Sequence, residues 1–422
     1  MNRRRFLAAA AVGVTSAFAG CSGTPDPVTT RRDHGDWPLH AHDTTNSNHV
    51  PAAVGPGPDP SVEWTRRVTD GRRYGYGAPS PVVADGTLYV GGDGLVALEA
   101  ATGDHSWRAA RSEAVYGPAV TDGAVYAGSV DGGVPRVRAF DRTNGERRWT
   151  VTYDEVLGPR FRPVVATDDA VYATLNYGTE GSTTPPHGRL DALADGDRRW
   201  SIDLGGNRDP APAVRGTELY LGGTAGSPAC AVDVRRGTVE RLLGDPPGRN
   251  WTSETPISPQ VHAVAASDAV YYGGRDASGR VTPTPPVTLD ALEEGAVEWQ
   301  ASLGHQVPPP AVTPESVSVV WASTDDGTVT AHVGRYSHAG DRSWTKRFPN
   351  RTVWASPVAT ANSVYVATAA ADGPSDPRLH AFDRAGGTAE WSLSLPSPAA
   401  TMAVAGGRLF VGSWDGSVMA VG

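Results

Sequence analysis

The stretch Gly86–Trp107 reads GTLYVGGDGLVALEAATGDHSW, and it decides the fold because variants of it return along the whole chain. Each copy joins two apolar runs through a Gly-centred turn, and most copies end on Trp. The runs are rich in β-branched and aromatic residues and are bounded by Gly, Asn or Asp, which is typical of strands in hairpins. Glycine suits the turns because it adopts a positive φ without strain. The stretch therefore predicts two hairpin-linked strands and a further strand that carries the Trp.

The copies align on a Gly that stands four residues before the Trp. Successive copies are about 41 to 58 residues apart, which is the length of a propeller blade with loop insertions. One copy keeps the Gly but has Arg in place of Trp, at Gly237–Arg241. The complete pairs are Gly103–Trp107, Gly145–Trp149, Gly196–Trp200, Gly295–Trp299, Gly340–Trp344 and Gly387–Trp391.

Each unit reads as four strands, of which the first contains Pro and the fourth carries the Trp. After Trp391 the chain supplies three strands and no fourth, whereas residues 61–68 (SVEWTRRV) form a lone fourth strand before the first unit. We predict an all-β, eight-bladed β-propeller of four-stranded antiparallel blades, closed by this N-terminal strand. A Trp at a fixed place can pack between neighbouring blades, and we expect this of Trp64, Trp107, Trp149, Trp200, Trp299, Trp344 and Trp391.

The composition excludes one class of partner. The net charge is −9, Lys346 is the single lysine, and no basic stripe appears outside the first five residues; this argues against nucleic-acid binding, which needs clustered Lys and Arg to neutralise phosphates. The acidic, lysine-poor composition resembles that of proteins from salt-loving archaea. A GC-rich genome, which favours Arg, Gly, Ala and Asp codons, remains the other explanation.

The first residues predict export and anchoring. Residues 1–20 read as a twin-arginine lipoprotein signal peptide, with Arg3 and Arg4 as its arginines and an apolar run too short to span a bilayer comfortably. Cys21 ends the run within a lipobox-like FAGC and is expected to be lipidated; an ordinary signal with an incidental Cys is the alternative. Residues 21–36 form a flexible linker and residues 37–422 the propeller domain. The predicted location is the outer face of the cytoplasmic membrane, with the lipid as anchor.

The other cysteine, Cys230, is not predicted to form a disulfide or to bind a metal. If Cys21 is acylated, Cys230 has no intramolecular partner, so a disulfide and a Cys-based metal site are both excluded. The run SPACAVDV around Cys230 is apolar and strand-like. We therefore expect Cys230 to be a small buried core residue.

Catalytic, cofactor-binding and metal residues are not predicted at any position. The crowd of His34, His40, His42 and His49 beside Asp residues could bind a transition metal, but nothing fixes its geometry, and solvated or surface-packed histidines are the favoured interpretation. Turn chemistry explains the Asp-Gly stretches at Asp131, Asp325–Gly327 and Asp415 better than calcium loops do. The chain also lacks the GxSxG, HExxH and P-loop motifs.

Loops are where specificity is expected. Asn250 and Asn350 stand in glycosylation sequons, and Asn250 falls in an irregular insertion that favours exposure. Trp251 lies outside the repeat register, so it is a candidate contact residue, although local packing is the favoured interpretation. Binding residues concentrate on loops held by a rigid scaffold, and the longer insertions are Tyr177–Gly188, Asp245–Pro256, Asp276–Pro286 and Ala371–Pro377.

The repeat resembles the propeller repeat named after pyrroloquinoline quinone (PQQ). Its pattern is a Gly- or Asp-rich turn followed by (L/F)-(D/E)-x-x-T-G-x-x-x-W, and Leu98–Trp107 is the clearest copy. The segment from Asp36 to Pro51 also resembles the lead-in of exported archaeal members. The resemblance covers about residues 37 to 422 and implies the fold more specifically than the function.

Two branches of that family matter for function. Quinoprotein alcohol dehydrogenases bind PQQ with calcium, and many carry an adjacent Cys pair, which this chain cannot supply. The other branch resembles BamB, a cofactor-free docking lipoprotein with a similar signal, size and blade count. The resemblance therefore favours a monomeric, membrane-anchored scaffold that binds proteins or surface glycans without catalysis and without a cofactor. The alternative is a PQQ- and calcium-dependent dehydrogenase of alcohols or sugars at the cell surface.

Anchoring can be tested directly. The Cys21→Ser variant removes the acylated thiol, so the protein should be shed into the medium while the native protein stays with the membrane fraction. Fractionation followed by immunoblotting measures the distribution. Continued tight membrane association of the variant would refute lipidation as the sole anchor.

Overall fold

The computed structural model describes residues 35–51, 55–69, 79–153, 156–178, 187–204, 211–222, 229–234, 249–252, 263–266, 269–275, 287–294 and 296–422. Within these ranges the chain forms strands, turns and loops without any helix, so no helix there could cross a membrane. The prediction of an all-β fold is confirmed. The leader with Arg3, Arg4 and Cys21 and the histidine His34 lie outside the described residues.

The strands of the described ranges form seven hydrogen-bonded sheets, numbered here from 1 to 7. Sheet 1 contains Pro81–Ala84, Thr87–Glu99, His105–Val115, Ala119–Val120, Ala124–Asp131, Val134–Asp141 and Arg147–Thr152. Sheet 2 contains Leu157–Phe161, Val165–Ala166, Val171–Gly178, His187–Ala194 and Asp197–Asp203. Sheet 3 contains Ala213–Arg215, Glu218–Leu221, Cys230–Asp233 and Arg249–Thr252.

The remaining four sheets follow in the same manner. Sheet 4 contains Ala263–Ala265, Val270–Tyr272, Val287–Glu293 and Ala296–Gly304. Sheet 5 contains Gly274–Arg275, Gln306–Val307, Ala311–Thr313, Ser316–Asp325, Thr328–Tyr336 and Arg342–Pro349. Sheet 6 contains His49–Val50, Arg351–Thr352, Val358–Thr360, Ser363–Ala370, Arg378–Asp383 and Ala389–Ser394. Sheet 7 contains Val62–Arg67, Ala399–Ala405, Arg408–Ser413 and Ser417–Val421.

The common element is an antiparallel unit of four strands, called first to fourth in chain order. In sheet 1 the continuous strand Thr87–Glu99 contains both the second and the third strand of a unit. Fully extended, its 13 residues would span about 40 Å, yet the N–H of Ala100 donates to the carbonyl of Gly86 at 2.9 Å. The stretch therefore folds back on itself near Gly94, whose φ is +120°.

Such a unit has two ends. In an antiparallel meander the turn between the first and second strands lies at the same end as the turn between the third and fourth strands. We call this end the proximal face. The turn between the second and third strands lies at the opposite end, which we call the distal face. A turn or a connecting segment can therefore be assigned to the proximal or to the distal face.

Strand register places most of the repeated Trp residues in the same way. An Ala of the third strand pairs with the Trp of the fourth strand, and the pairs are Ala97–Trp107, Ala139–Trp149, Ala192–Trp200, Ala291–Trp299, Ala381–Trp391 and, for the N-terminal strand, Ala420–Trp64. Trp344 differs because it pairs with Arg335. The spacing read from the sequence therefore corresponds to a defined position in the sheet.

Sheet 3 corrects the sequence interpretation of its unit. The sequence placed the fourth strand at Gly237–Arg241, which lies outside the described residues, and it placed Trp251 in a loop. The strand that pairs with Cys230–Asp233 is instead Arg249–Thr252, and Trp251 pairs with Ala231. Trp251 thus occupies the repeat position. A longer connection after the third strand disrupts the Gly-to-Trp spacing, but it does not prevent the strands from pairing.

Five of the junctions between described units have a Trp that lies against a Gly of the next unit. A Cβ placed on Gly103 would lie 2.7 Å from Cδ2 of Trp64, which is closer than real contacts allow. The indole N–H of Trp64 donates to the carbonyl of Ala100, 3.2 Å away. The same Trp-on-Gly contact joins Trp107 to Gly145, Trp149 to Gly196, Trp299 to Gly340 and Trp344 to Gly387.

Strands far apart in the chain meet in sheet 7. The N-terminal strand Val62–Arg67 pairs antiparallel with the C-terminal strand Ser417–Val421. Because Trp64 of this strand packs on Gly103, sheet 7 also contacts sheet 1. Apolar side chains between the sheets form the core, and Cys230 is fully buried in it, so that prediction is confirmed.

The Trp-on-Gly contact can be isolated by comparing two glycines. Gly103 and Gly86 both have positive φ (71° and 74°), but a Cβ on Gly86 would meet nothing within 4 Å. Alanine at either position costs about 1 kcal/mol of backbone strain. Gly103→Ala should lose about 1 to 3 kcal/mol more, because the methyl group overpacks the indole of Trp64. Urea unfolding measures both variants, and equal losses would show that the indole contact does not constrain the junction.

Candidate functional site

The residues from Trp37 to Val50, called the axial segment, lie among the first strands of the units. Trp37 exchanges two backbone hydrogen bonds with Val83, of 2.8 and 2.7 Å. Further along the segment, backbone carbonyls accept from the N–H groups of first strands, and the pairs are Pro38–Val120, Thr44–Val214, Thr45–Ala265, Ser47–Val312 and Asn48–Ala359. The segment therefore meets sheets 1, 3, 4, 5 and 6 in chain order. First strands from all of these sheets lie around one short stretch of chain.

Two asparagines strengthen this arrangement. Asn46 is 1% exposed, and its Nδ2 donates to the carbonyls of Pro212 and Ala263 at 3.1 and 3.0 Å, so it bridges sheets 3 and 4. Asn48 donates from Nδ2 to the carbonyl of Pro310 at 3.0 Å. Both have positive φ, of 59° and 52°, which asparagine tolerates better than most residues do. They curve the segment and also pair backbone carbonyls that would otherwise be buried without a donor.

Asp43 organises the turn in the middle of the segment. Its Oδ1 accepts from the N–H and the hydroxyl of Thr45 at 2.9 and 2.7 Å, and its Oδ2 accepts from the hydroxyl of Ser47 at 2.6 Å. Burial raises the pKa of this carboxyl, but hydrogen bonds and charge from His42 and hydrogen bonds from Ser47 outweigh burial and lower it to about 2. Asp43 is therefore ionised and holds the turn as a charged acceptor.

The histidines of the axial segment contact other protein groups more than they contact solvent. Nδ1 of His40 lies 2.9 Å from Oγ of Ser80, and burial lowers the pKa of His40 to about 4. His42 packs its ring 5.3 Å from that of Trp37. His49 is only 7% exposed; burial, followed by the charges of Arg384 and His42, lowers its pKa to about 4.

The favoured interpretation of these residues as solvated or surface-packed is therefore wrong for His49. The sequence shows no regular period in this region, so it does not reveal that the segment is surrounded by sheets. No three His, Cys, Asp or Glu side chains converge to hold a metal ion anywhere in the described ranges.

The remaining predicted positions are dispersed. Asn350 is exposed, has a φ of 58° and lies between a strand of sheet 5 and a strand of sheet 6. Asn250 belongs to the strand Arg249–Thr252 and not to an irregular loop. The Asp-Gly stretches form hairpin turns, and Asp415 in one of them accepts from the N–H of Ser417. Of the four insertions, Ala371–Pro377 is described throughout, and its Asp376 pairs with Arg351 at 2.7 Å.

A polar cleft of about 440 Å³ opens between the two units of sheet 1. Arg142 crosses it and pairs with Asp85 at 2.5 Å, while Arg148 pairs with Asp141 at 2.7 Å. A hydrogen bond from Arg148, with others from Thr143, lowers the pKa of Asp141. The indole N–H of Trp107 donates to the carbonyl of Arg142 at 2.9 Å. The arginines and these two carboxylates of the cleft are thus bonded to each other.

The same bridge recurs farther along the chain, between sheets 5 and 6. Arg384 pairs with Glu315 at 3.1 Å, and its carbonyl accepts from the indole N–H of Trp344 at 3.2 Å. The hydrogen bond from Arg384 lowers the pKa of Glu315. Because the same bridge occurs at two junctions, we interpret it as a contact that joins neighbouring units. The cleft in sheet 1 is therefore a junction with polar walls.

Sequence reasoning missed the residues that bind the axial segment in place. Asp43, Asn46 and Asn48 alternate with Thr and Ser in DTTNSNH, and this is a composition of turns and left-handed backbone. The pattern could have indicated a curved segment held by side chains. It could not have indicated what the segment contacts, because its partners are up to about 300 residues away in sequence.

The family profile described as outer membrane protein assembly factor BamB matches residues 58–283 and 288–422. The chain belongs to this family. The prediction of a β-propeller of PQQ-type repeats that resembles BamB is thereby confirmed. No curated protein sequence matches the chain.

Solved structures with a similar fold include dehydrogenases as well as a BamB. A quinohemoprotein alcohol dehydrogenase from Comamonas testosteroni has a TM-score of 0.67 at 14% identity, over 92% of this chain and 80% of the other. BamB from Moraxella catarrhalis has a TM-score of 0.56 at 16% identity, over 86% and 97%. A europium-containing methanol dehydrogenase has a TM-score of 0.59 at 13% identity, over 93% and 98%. At these identities the likeness establishes the fold alone.

The described residues do not fit a quinone with a calcium ion. A planar cofactor requires an enclosed cavity, and in a propeller the natural cavity is the channel on the axis. Here the axial segment lies among the first strands, and its side chains are mostly buried. Calcium requires several oxygen ligands that converge, and the described part of the chain shows no acidic cluster of that kind.

The buried histidines predict a loss of stability in acid. The pKa of His40 and of His49 is about 4 in the folded protein, against an ordinary value of 6.5. Between pH 4 and pH 6.5 the unfolded chain binds protons that the folded chain does not bind. The contribution of these histidines to the free energy of unfolding should therefore be fully present above about pH 6.5 and should be lost as the pH falls towards 4.

Urea unfolding between pH 7 and pH 4 measures this fall. His49→Asn removes one of the protons, so its stability should depend less steeply on pH than that of the native protein. His105→Asn, at an exposed site, is the matched control and should keep the native slope. Equal slopes for all three proteins would contradict the prediction.

Proposed function

We propose that the protein is a non-enzymatic docking scaffold, anchored by lipid to the outer face of the cytoplasmic membrane, which holds a protein or glycan partner at the cell surface. One observation carries this proposal. The axial segment places its own buried side chains among the first strands, where a ring of sheets would otherwise offer a ligand cavity. Function is then left to the turns and loops of the two faces.

We further propose that the fold is a closed ring of eight blades. The two units of sheet 1 and the single unit of each of sheets 2 to 7 supply the blades. Two contacts support closure: the pairing of Val62–Arg67 with Ser417–Val421, and the packing of Trp64 on Gly103 in sheet 1. The hydroxyl of Thr401 also donates to the carbonyl of Pro79, which adds a link between the last and first sheets. A closed ring has no open sheet edge between its first and last units.

The position of the tether supports an orientation on the membrane. Asp36 accepts a hydrogen bond at Oδ2 from the N–H of Asp85, in the turn between the first and second strands of sheet 1. The chain therefore reaches the axial segment from the proximal face. With a lipid on Cys21, that face is turned to the membrane and the distal face is turned outwards. A halophilic archaeal source fits the acidic composition, and a monomer is sufficient for a scaffold of this kind.

The dehydrogenase activity remains the second candidate. It is favoured by the structural similarity to the quinohemoprotein alcohol dehydrogenase and the methanol dehydrogenase. Under this alternative the protein would bind PQQ with calcium and oxidise alcohols or sugars at the cell surface. The axial segment would then have to leave its position to admit the cofactor.

One experiment separates the two candidates. Purified protein is mixed with PQQ and calcium, and both the quinone absorbance and dye-linked alcohol oxidation are followed. The scaffold should show neither stoichiometric binding nor oxidation above the level of a sample without protein. Stoichiometric binding with turnover would refute the scaffold and establish the dehydrogenase.

A further inference from the structure

Trp354 and Trp414 form an aromatic pair that the repeat does not explain. Their ring centroids lie 6.4 Å apart, and the ring planes make an angle of 82°. Neither residue stands at the Trp position of a fourth strand. Trp414 is 51% exposed, and the other exposed large apolar side chains in the described ranges, Leu157 and Val297, belong to sheets 2 and 4. Trp414 is therefore the one aromatic residue among these exposed apolar side chains of the described ranges.

The turn that carries Trp414 is held rigidly. The N–H of Trp414 donates to the carbonyl of Pro398 at 3.2 Å, and the N–H of Gly416 donates to the carbonyl of Ser413 at 3.0 Å. Gly416 has a φ of 86°, and a Cβ there would lie 2.3 Å from the carbonyl oxygen of Thr69. The indole is thus exposed on a fixed turn, so little conformational entropy would be lost when a ligand covers it.

Trp354 supports the exposed ring from the neighbouring sheet. It precedes the first strand of sheet 6 and stands between Val353 and Ala355, which are both 1% exposed. Trp354 is only partly buried between these two buried neighbours, and its ring lies against that of Trp414. The edge-to-face geometry is the favourable one for two aromatic rings. One indole therefore braces the other and leaves much of Trp414 open.

A carboxylate residue, Asp415, follows Trp414 in the same turn. Asp415 is exposed, and its Oδ1 accepts from the N–H and the hydroxyl of Ser417 at 2.9 and 2.6 Å, which orients the group. Arg67 donates to the backbone carbonyl of Asp415, not to its carboxylate. No described residue hydrogen-bonds Oδ2 of Asp415. This oxygen remains an acceptor on the turn that also carries Trp414.

The location is compatible with a partner outside the cell. Trp414 lies in the turn between the second and third strands of its unit, which is on the distal face. Asp36, the last residue of the predicted linker, lies at the proximal face, where its Oδ2 accepts from the N–H of Asp85. An anchored protein would therefore present the Trp414 turn away from its membrane.

The chemistry of this surface favours one class of ligand. A stable protein interface buries about 800 Å² on each partner around a cluster of apolar anchors, whereas this surface offers one exposed ring braced by a second. An anionic ligand would be repelled by Asp415 and by a chain of net charge −9. A neutral sugar fits, because its C–H bonds face the negative π surface of an indole while its hydroxyls donate to a carboxylate.

We propose that Trp414, braced by Trp354 and accompanied by Asp415, binds a neutral, hydroxyl-rich glycan at the distal face. This inference rests on the proposed scaffold function and names the class of its partner. The indole stacks on one sugar ring, and Oδ2 of Asp415 accepts from a hydroxyl of the same or the next ring. The site needs no catalytic group.

Isothermal calorimetry with short neutral oligosaccharides of glucose, mannose and N-acetylglucosamine tests the site, with oligogalacturonate as the acidic counterpart. The native protein should bind a neutral oligosaccharide and not the acidic one. Trp414→Ala should weaken binding about tenfold or more, and Trp414→Phe should retain most of it because an aromatic face remains. Asp415→Asn should weaken it less than Trp414→Ala does. Leu157→Ala, which also truncates an exposed apolar side chain, is the control and should bind like the native protein.

Two results would overturn the proposal: native affinity in Trp414→Ala, or no binding of any neutral oligosaccharide by the native protein. The scaffold itself is judged separately, by crosslinking in native membranes and co-purification. A protein partner that is captured by the native chain and lost in Trp414→Ala, without glycan binding, would refute the glycan while the scaffold stands. Quinone-dependent turnover would refute the scaffold whatever the glycan result.

Discussion

The contact between a Trp of one unit and a Gly of the next is the interaction on which the rest of the structure depends. In the described part of the chain the strands form seven separate hydrogen-bonded sheets, so side chains must set how neighbouring sheets lie together. An indole can come this close to the following turn only where no Cβ exists, as at Gly103 and Gly145. Its N–H then pairs a turn carbonyl of that unit, as Trp107 does with Arg142. Packing and hydrogen bonding thus fix the same geometry at the four junctions of Trp64, Trp107, Trp299 and Trp344.

The axial segment depends on this geometry and adds to it. First strands come close enough to share one short segment only because the junctions turn each unit relative to the last. The segment then pairs first-strand N–H groups that would otherwise lack a backbone acceptor, and Asn46 links two sheets through a single side chain. An N-terminal stretch that looks like a linker therefore belongs to the core. Under the proposed scaffold function, partners would therefore bind the turns and loops of the two faces and not the axis.

The ease of prediction varied with how local each signal was. The strands, the turns and the position of most Trp residues follow from short patterns, because hairpins need glycine and strands favour β-branched and aromatic residues. Trp251 was misplaced because the fixed spacing failed at an insertion, while strand pairing with Ala231 did not depend on that spacing. His49 was misplaced because nothing near it in sequence forms its surroundings; sheets far along the chain do. The Trp354 and Trp414 pair was invisible for the same reason, since about 60 residues separate its members.

By itself, the sequence determined that this protein is all-β, that it is built from PQQ-type repeats, and that Cys230 belongs to the core. Local periodicity and turn chemistry carry that information, and each repeat states it again. Only the tertiary structure decided that the lead-in lies among the first strands, that the charges of the sheet 1 cleft pair with one another, and that one indole stands open on a rigid turn. These features arise between residues distant in the chain, where the packing of sheets against one another, and not any local preference, decides which groups meet.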